Sequence, residues 1–65
     1  MKSNITKLRE KIGITQQQLA DKVEVSRQTI VSLEGGKYNP SILLAYKISK
    51  VFGLSIEEVF IFEEE

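Results

Sequence analysis

The sequence predicts a small all-α domain of five short helices, and three observations lead to that class. A capping-type residue opens each of five stretches (Ser3 or Asn4, Thr15, Ser26, Ser41, Ser55), and apolar residues follow at three- and four-residue spacing. Glycine or proline punctuates the gaps, at Gly13, Gly35, Gly36, Pro40 and Gly53. Finally, 65 residues without a cysteine fit one domain, near the lower limit for folding without a disulfide, metal or partner.

The first helix is expected from Ser3 or Asn4 to about Ile12, with Gly13 as a left-handed stop. Ile5, Leu8 and Ile12 form its apolar stripe. Arg9 lies on the same stripe, four residues after Ile5, and Glu34 has the matching problem four residues after Ile30. Two opposite charges on otherwise apolar faces answer one another most simply as an ion pair between the first and third helices.

Residues 15–33, TQQQLADKVEVSRQTIVSL, read as two helices joined by a tight turn. Thr15 with Gln18 makes a capping box, and Ser26 caps the second helix. Leu19, Ala20 and Val23 line one stripe, and Ile30 and Leu33 line the other. The turn Val23-Glu24-Val25 is short enough to cross the helices steeply and bury Ala20, Val25 and Ile30 together, the geometry of a helix-turn-helix unit. At about 100° per residue, Gln28 and Ser32 point away from Ile30 and Leu33, with Val31 between them and Arg27 and Thr29 at the margins. This helix, about residues 27–34, therefore offers a polar face to its surroundings.

Two glycines end helix 3, and Pro40 prevents continuation. The loop carries Lys37, Tyr38 and Asn39 before Ser41 caps helix 4. Helix 4 runs over about residues 41–52, with Leu44, Ala45, Ile48 and Phe52 as its core stripe and Ile42 joining them. Leu43, Tyr46 and Val51 lie outside that stripe. Helix 5 starts at Ser55, with Glu58 completing a second capping box. The run Val59-Phe60-Ile61-Phe62 reads either as a short strand or as the unravelled end of helix 5. As a strand it would pair with the N-terminal segment or with a partner's copy. Leu43, Tyr46, Val51, Ile56, Phe60, Ile61 and Phe62 together make more apolar surface than a monomer needs, and they are the expected interface of a symmetric dimer.

Composition narrows the function. With no histidine and no cysteine, a disulfide framework, the common zinc sites and most nucleophile–base pairs are excluded, so no enzyme, metal or cofactor is expected. No apolar run approaches a membrane span and no signal-peptide core opens the chain, so a soluble cytoplasmic protein is expected. The net charge is zero, but it is polarised. Residues 1–50 hold all nine bases against four acids, and residues 51–65 hold five glutamates and no base. A basic body with an acidic end suits a polyanionic partner, because local charge sets the field at a surface. Glu63, Glu64 and Glu65 read as a solvating tail.

The pattern T-Q-x-x-L-A-x-x-x-x-V-S-R-Q-T-I-x-x-L-E-x-G-K-x-N-P-S over residues 15–41 resembles the Cro and lambda-repressor type of helix-turn-helix regulator, and a looser likeness extends over about residues 5–60. In length and in its apolar C-terminal run the chain is similar to the small dimeric repressors of that family, the group that includes the cytolysin repressor. One departure is Glu24, where the family usually has glycine in a left-handed backbone, at a cost of about 1 kcal/mol or more.

The resemblance implies a compact five-helix lambda-repressor-like domain spanning residues 1–65, and the same Arg9–Glu34 pair. It implies a transcriptional repressor that binds double-stranded DNA as a homodimer on an inverted repeat, with helix 3 in the major groove and no small-molecule ligand. By side-chain chemistry, Arg27 and Gln28 are the leading base readers, arginine for guanine and glutamine for adenine. Thr29 and Ser32 can donate to bases, and Val31 can meet a thymine methyl. Gln16, Gln17, Ser26, Lys37, Tyr38, Asn39 and Ser41 are the expected phosphate contacts. A protein-interaction module or an antitoxin on the same fold are the alternatives.

Overall fold

A computed structural model describes residues 1–62, and the expected acidic tail, residues 63–65, lies outside the described residues. The chain runs β1 (Lys2–Ser3), α1 (Ile5–Ile12), α2 (Gln16–Lys22), α3 (Arg27–Glu34), α4 (Ile42–Phe52), α5 (Ile56–Val59) and β2 (Phe60–Ile61). Four of the five helices, α2 to α5, start on a side-chain cap. Thr15 Oγ1 accepts from the Gln18 amide and Gln18 answers through the Thr15 amide, a reciprocal box that Ser55 and Glu58 repeat at α5. Ser26 and Ser41 cap α3 and α4 by accepting from the Thr29 and Leu44 amides. Asn4 precedes α1 without a capping bond to it; its side chain donates instead to the Glu58 carbonyl at 3.3 Å, and its amide donates to the Val59 carbonyl at 2.7 Å.

These bonds bring the two ends of the fold together. β1 and β2 pair antiparallel, Lys2 opposite Ile61 and Ser3 opposite Phe60, so the C-terminal run is a strand that meets the N-terminal segment. Alternation along β2 sends Phe60 into the core, 1% exposed, and Ile61 outward. Phe60 therefore corrects the sequence reading, since a side chain buried in its own chain cannot form a dimer surface.

The core gathers one stripe from each helix: Ile5 from α1, Leu19 and Ala20 from α2, Ile30 and Leu33 from α3, Leu44, Ala45 and Ile48 from α4, and Val59 from α5. Val23, after α2, completes the contact with α3. Two isoleucines depart from the predicted stripes. Ile12 is 51% exposed because α1 ends there, at the left-handed Gly13, and its last turn is left uncovered. Ile42, in the first turn of α4, is 84% exposed.

The turn between α2 and α3 holds its shape at a local cost. Glu24 has φ 62, the only non-glycine residue with positive φ among the described residues. Its carboxylate accepts from Lys47 of α4 at 3.3 Å, so the strained residue is also tied to the neighbouring helix.

Candidate nucleic-acid interface

α3 stands on Ile30 and Leu33, which are almost completely buried, and turns its opposite side outward. Arg27 and Gln28 are exposed, and Thr29, Val31 and Ser32 are half-buried beside them. The face is partly ordered by its own bonds. Ser26 Oγ lies 3.2 Å from Thr29 Oγ1, and Gln28 Nε2 reaches Ser32 Oγ at 3.5 Å. Arg27 and Gln28 are the first two residues of α3.

Of the residues expected to contact phosphate, Ser26 and Tyr38 lie beside this face, whereas Asn39 lines a cleft with Met1, Lys2, Ile61 and Phe62. Lys37, Tyr38 and Asn39 are exposed in the loop after α3, and Tyr38 lines a shallow cleft with Ser26, Gln28, Thr29 and Ser32. Ser41 is exposed, although its hydroxyl is occupied in capping α4. Gln17 is exposed and its amide donates to Asp21 at 2.9 Å. Gln16 differs from the others. It is half-buried, and its amide nitrogen donates to Glu34 Oε1 at 3.1 Å. Nothing in the spacing of the sequence signals that bond.

Behind the face lies the ion pair. Arg9 Nε donates to Glu34 Oε2 at 2.9 Å, and the side chains are 14% and 8% exposed. Burial pushes the Glu34 carboxyl up, but hydrogen bonds from Arg9, Gln16 and Thr6, with the charge of Arg9, outweigh it and hold the group below its ordinary value. The Arg9 guanidinium is held above its ordinary value by the hydrogen bond to Glu34, against the opposing effect of burial. Both groups are charged at neutral pH.

A second set of outward residues is apolar, and one of them, Leu43, lines a cleft with Thr29, Tyr38 and Ser41. Leu43 is 63% exposed, Tyr46 51%, Phe62 58% and Ile61 39%. Val51 and Ile56 are half-buried and pack on the core, so each has only an edge to offer a partner. The exposed Ile42 and Phe62 rim an apolar groove that Phe60 and Ile56 help to line. Among the described residues no group of acidic side chains could hold a metal ion, and no helix is long and apolar enough to cross a membrane.

The helix-turn-helix family model matches residues 5–59. An HTH-type transcriptional regulator of Archaeoglobus fulgidus is 57% identical over 65 residues, covering 100% of this chain and 93% of that protein. The crystal structure of a transcriptional regulator from Listeria innocua superposes with a TM-score of 0.83 at 23% identity over 100% of this chain, which spans 64% of that longer one and shares its fold. The N-terminal DNA binding domain of SinR from Bacillus subtilis superposes with a TM-score of 0.74 at 31% identity, over 82% of this chain and 78% of that domain. With the turn at Glu24, the capped α3 and its exposed polar face in place, the chain belongs to the helix-turn-helix family of DNA-binding transcriptional regulators.

Proposed function

We propose that the protein is a sequence-specific repressor that binds an inverted repeat as a homodimer, with α3 of each protomer in the major groove. The observation that carries this reading is the outward polar face of α3, seated on two buried anchors and opened by Arg27 and Gln28. Arginine matches guanine O6 and N7, and glutamine matches adenine N6 and N7. Thr29 and Ser32 add shorter donors, and Val31 an apolar contact for a thymine methyl. In this reading Gln16, Gln17, Ser26, Lys37, Tyr38, Asn39 and Ser41 contact phosphates and fix the register of the face.

A single unit of this size touches few base pairs. Pairing through Leu43, Tyr46, Ile61 and Phe62, with the edges of Val51 and Ile56, supplies a second α3 about 34 Å away on the same face of the duplex. Repression needs only occupancy, since a dimer seated across a promoter excludes other proteins from it. The deciding experiment is selection of bound sites from random duplexes. The expected product is a two-fold symmetric site with half-sites one helical turn apart, and recovery of unenriched sequence would overturn the reading.

A further inference from the structure

Glu34 ends α3 at the point where three helices meet, and its bonds exceed what an ion pair requires. Oε2 accepts from Arg9 Nε at 2.9 Å, while Oε1 accepts from Arg9 Nη2 at 3.3 Å and from Gln16 Nε2 at 3.1 Å. Arg9 also donates through Nη1 to the Ile14 carbonyl at 3.0 Å. Arg9 and Glu34 alone would tie α1 to α3. Thr6 of α1 adds to the same tie; Gln16 brings in α2, and it is a side chain assigned above to a DNA phosphate.

A glutamine amide turns about its last bond between two orientations of similar energy, one presenting nitrogen and the other carbonyl oxygen. A carboxylate can only accept, so Glu34 selects the orientation that turns nitrogen toward it. One Nε2 proton is used in that bond. The second is left for another acceptor, and a phosphate oxygen is an acceptor that the reversed amide would repel. The arrangement places an anion near a phosphate contact, which would be unfavourable if the anion were bare. Arg9 removes that difficulty by neutralising it at 2.9 Å.

We infer that Glu34, held by Arg9, is a positioning residue for DNA binding, fixing the Gln16 amide with a donor available to the phosphate backbone. This rests on the reading of α2 and α3 as the DNA interface. The full chain, the variants Gln16→Ala and Glu34→Gln, and the double variant are titrated on the selected site and on random duplex. Gln16→Ala weakens both by about tenfold, because a phosphate contact carries no sequence information. Glu34→Gln weakens binding several-fold in the parent and less than about twofold once Gln16 is alanine. An equal loss in both backgrounds overturns the inference, as does parental affinity in Gln16→Ala.

Because Glu34 also supports the fold, a second measurement uses the parent alone. NMR relaxation of the Gln16 side-chain amide, without DNA, supports the inference if the amide is as ordered as the backbone of α2. An amide turning as freely as an unbonded one overturns it. A parent that binds no duplex fails the DNA reading itself, a different result from a parent that binds without needing Gln16.

Discussion

The side chain of Gln28 is exposed in the first turn of α3, and it reaches Ser32 Oγ at the long distance of 3.5 Å. Little is lost in breaking that bond, so the amide is free to meet a base edge. Replacing Gln28 with alanine is expected to cost about 1–3 kcal/mol on the selected site and almost nothing on random duplex. Equal losses on the two, measured by fluorescence anisotropy, would assign Gln28 to the backbone. Arg9 and Glu34 act on stability instead. Arg9→Ala leaves Glu34 buried without its counter-charge, a loss of about 3–5 kcal/mol against a total of about 5–15 kcal/mol. The same pair sets an acid limit. The Glu34 carboxyl is held below its ordinary value of 4.5, so its stabilisation is complete above that pH and is lost as pH falls through the folded-state value. Thermal melting between pH 7 and pH 3 should therefore show a decline beginning below about 4.5 that is shallower in Glu34→Gln. Parallel profiles would mean that other carboxyls govern acid unfolding.

At the scale of elements, the turn between α2 and α3 is where sequence and backbone disagree most. Glu24 holds φ 62, a conformation costing an L-residue about 1–2 kcal/mol, and its ion pair with Lys47 is too exposed to return more than about 1 kcal/mol. Glu24→Gly should stabilise the fold by up to about 1 kcal/mol after the extra entropy of glycine, read as a higher denaturant midpoint, while Glu24→Ala should lower the midpoint slightly. A fall in both would mean that the Lys47 tether outweighs the strain. This element was legible in the sequence because its signals are local: a cap at Thr15, a cap at Ser26 and a turn of fixed length between them. The pairing of Arg9 with Glu34 was legible too, since a charge on an apolar stripe calls for an opposite one. What sequence could not place depended on neighbours distant in the chain. Ile12 and Ile42 have helical spacing suited to burial, but no element among the described residues covers them. Phe60 looked like part of an exposed run until β2 paired with β1 and alternation turned it inward. The bond from Gln16 to Glu34 crosses 18 residues and leaves no periodic trace.

Across the whole molecule, the proposed function gives the outward face of α3 and the apolar residues Tyr46, Ile61 and Phe62 different tasks, which a mutation can test one at a time, while Leu43 shares a cleft with Thr29 and Tyr38. Tyr46 is 51% exposed, and the recorded contact of its ring is Lys50 Nζ at 5.7 Å from the centroid. A carboxylate in its place should leave the monomer folded, because little of the side chain supports the core, but should be costly where two protomers face each other across a dry surface. Tyr46→Glu is therefore expected to shift sedimentation equilibrium from dimer toward monomer at micromolar concentration, with a melting temperature that falls only by what association adds and no longer depends on protein concentration. Binding would change in form as well as strength. The parent should fill a two-half-site duplex in one cooperative step, and the variant should fill each half-site independently, with a much weaker overall midpoint. Affinity for an isolated half-site should be nearly the same in both, since Arg27 and Gln28 are untouched. A parent that is monomeric at micromolar concentration with and without its duplex, and that fills the two halves independently, would remove the homodimer while leaving α3 as the reading helix.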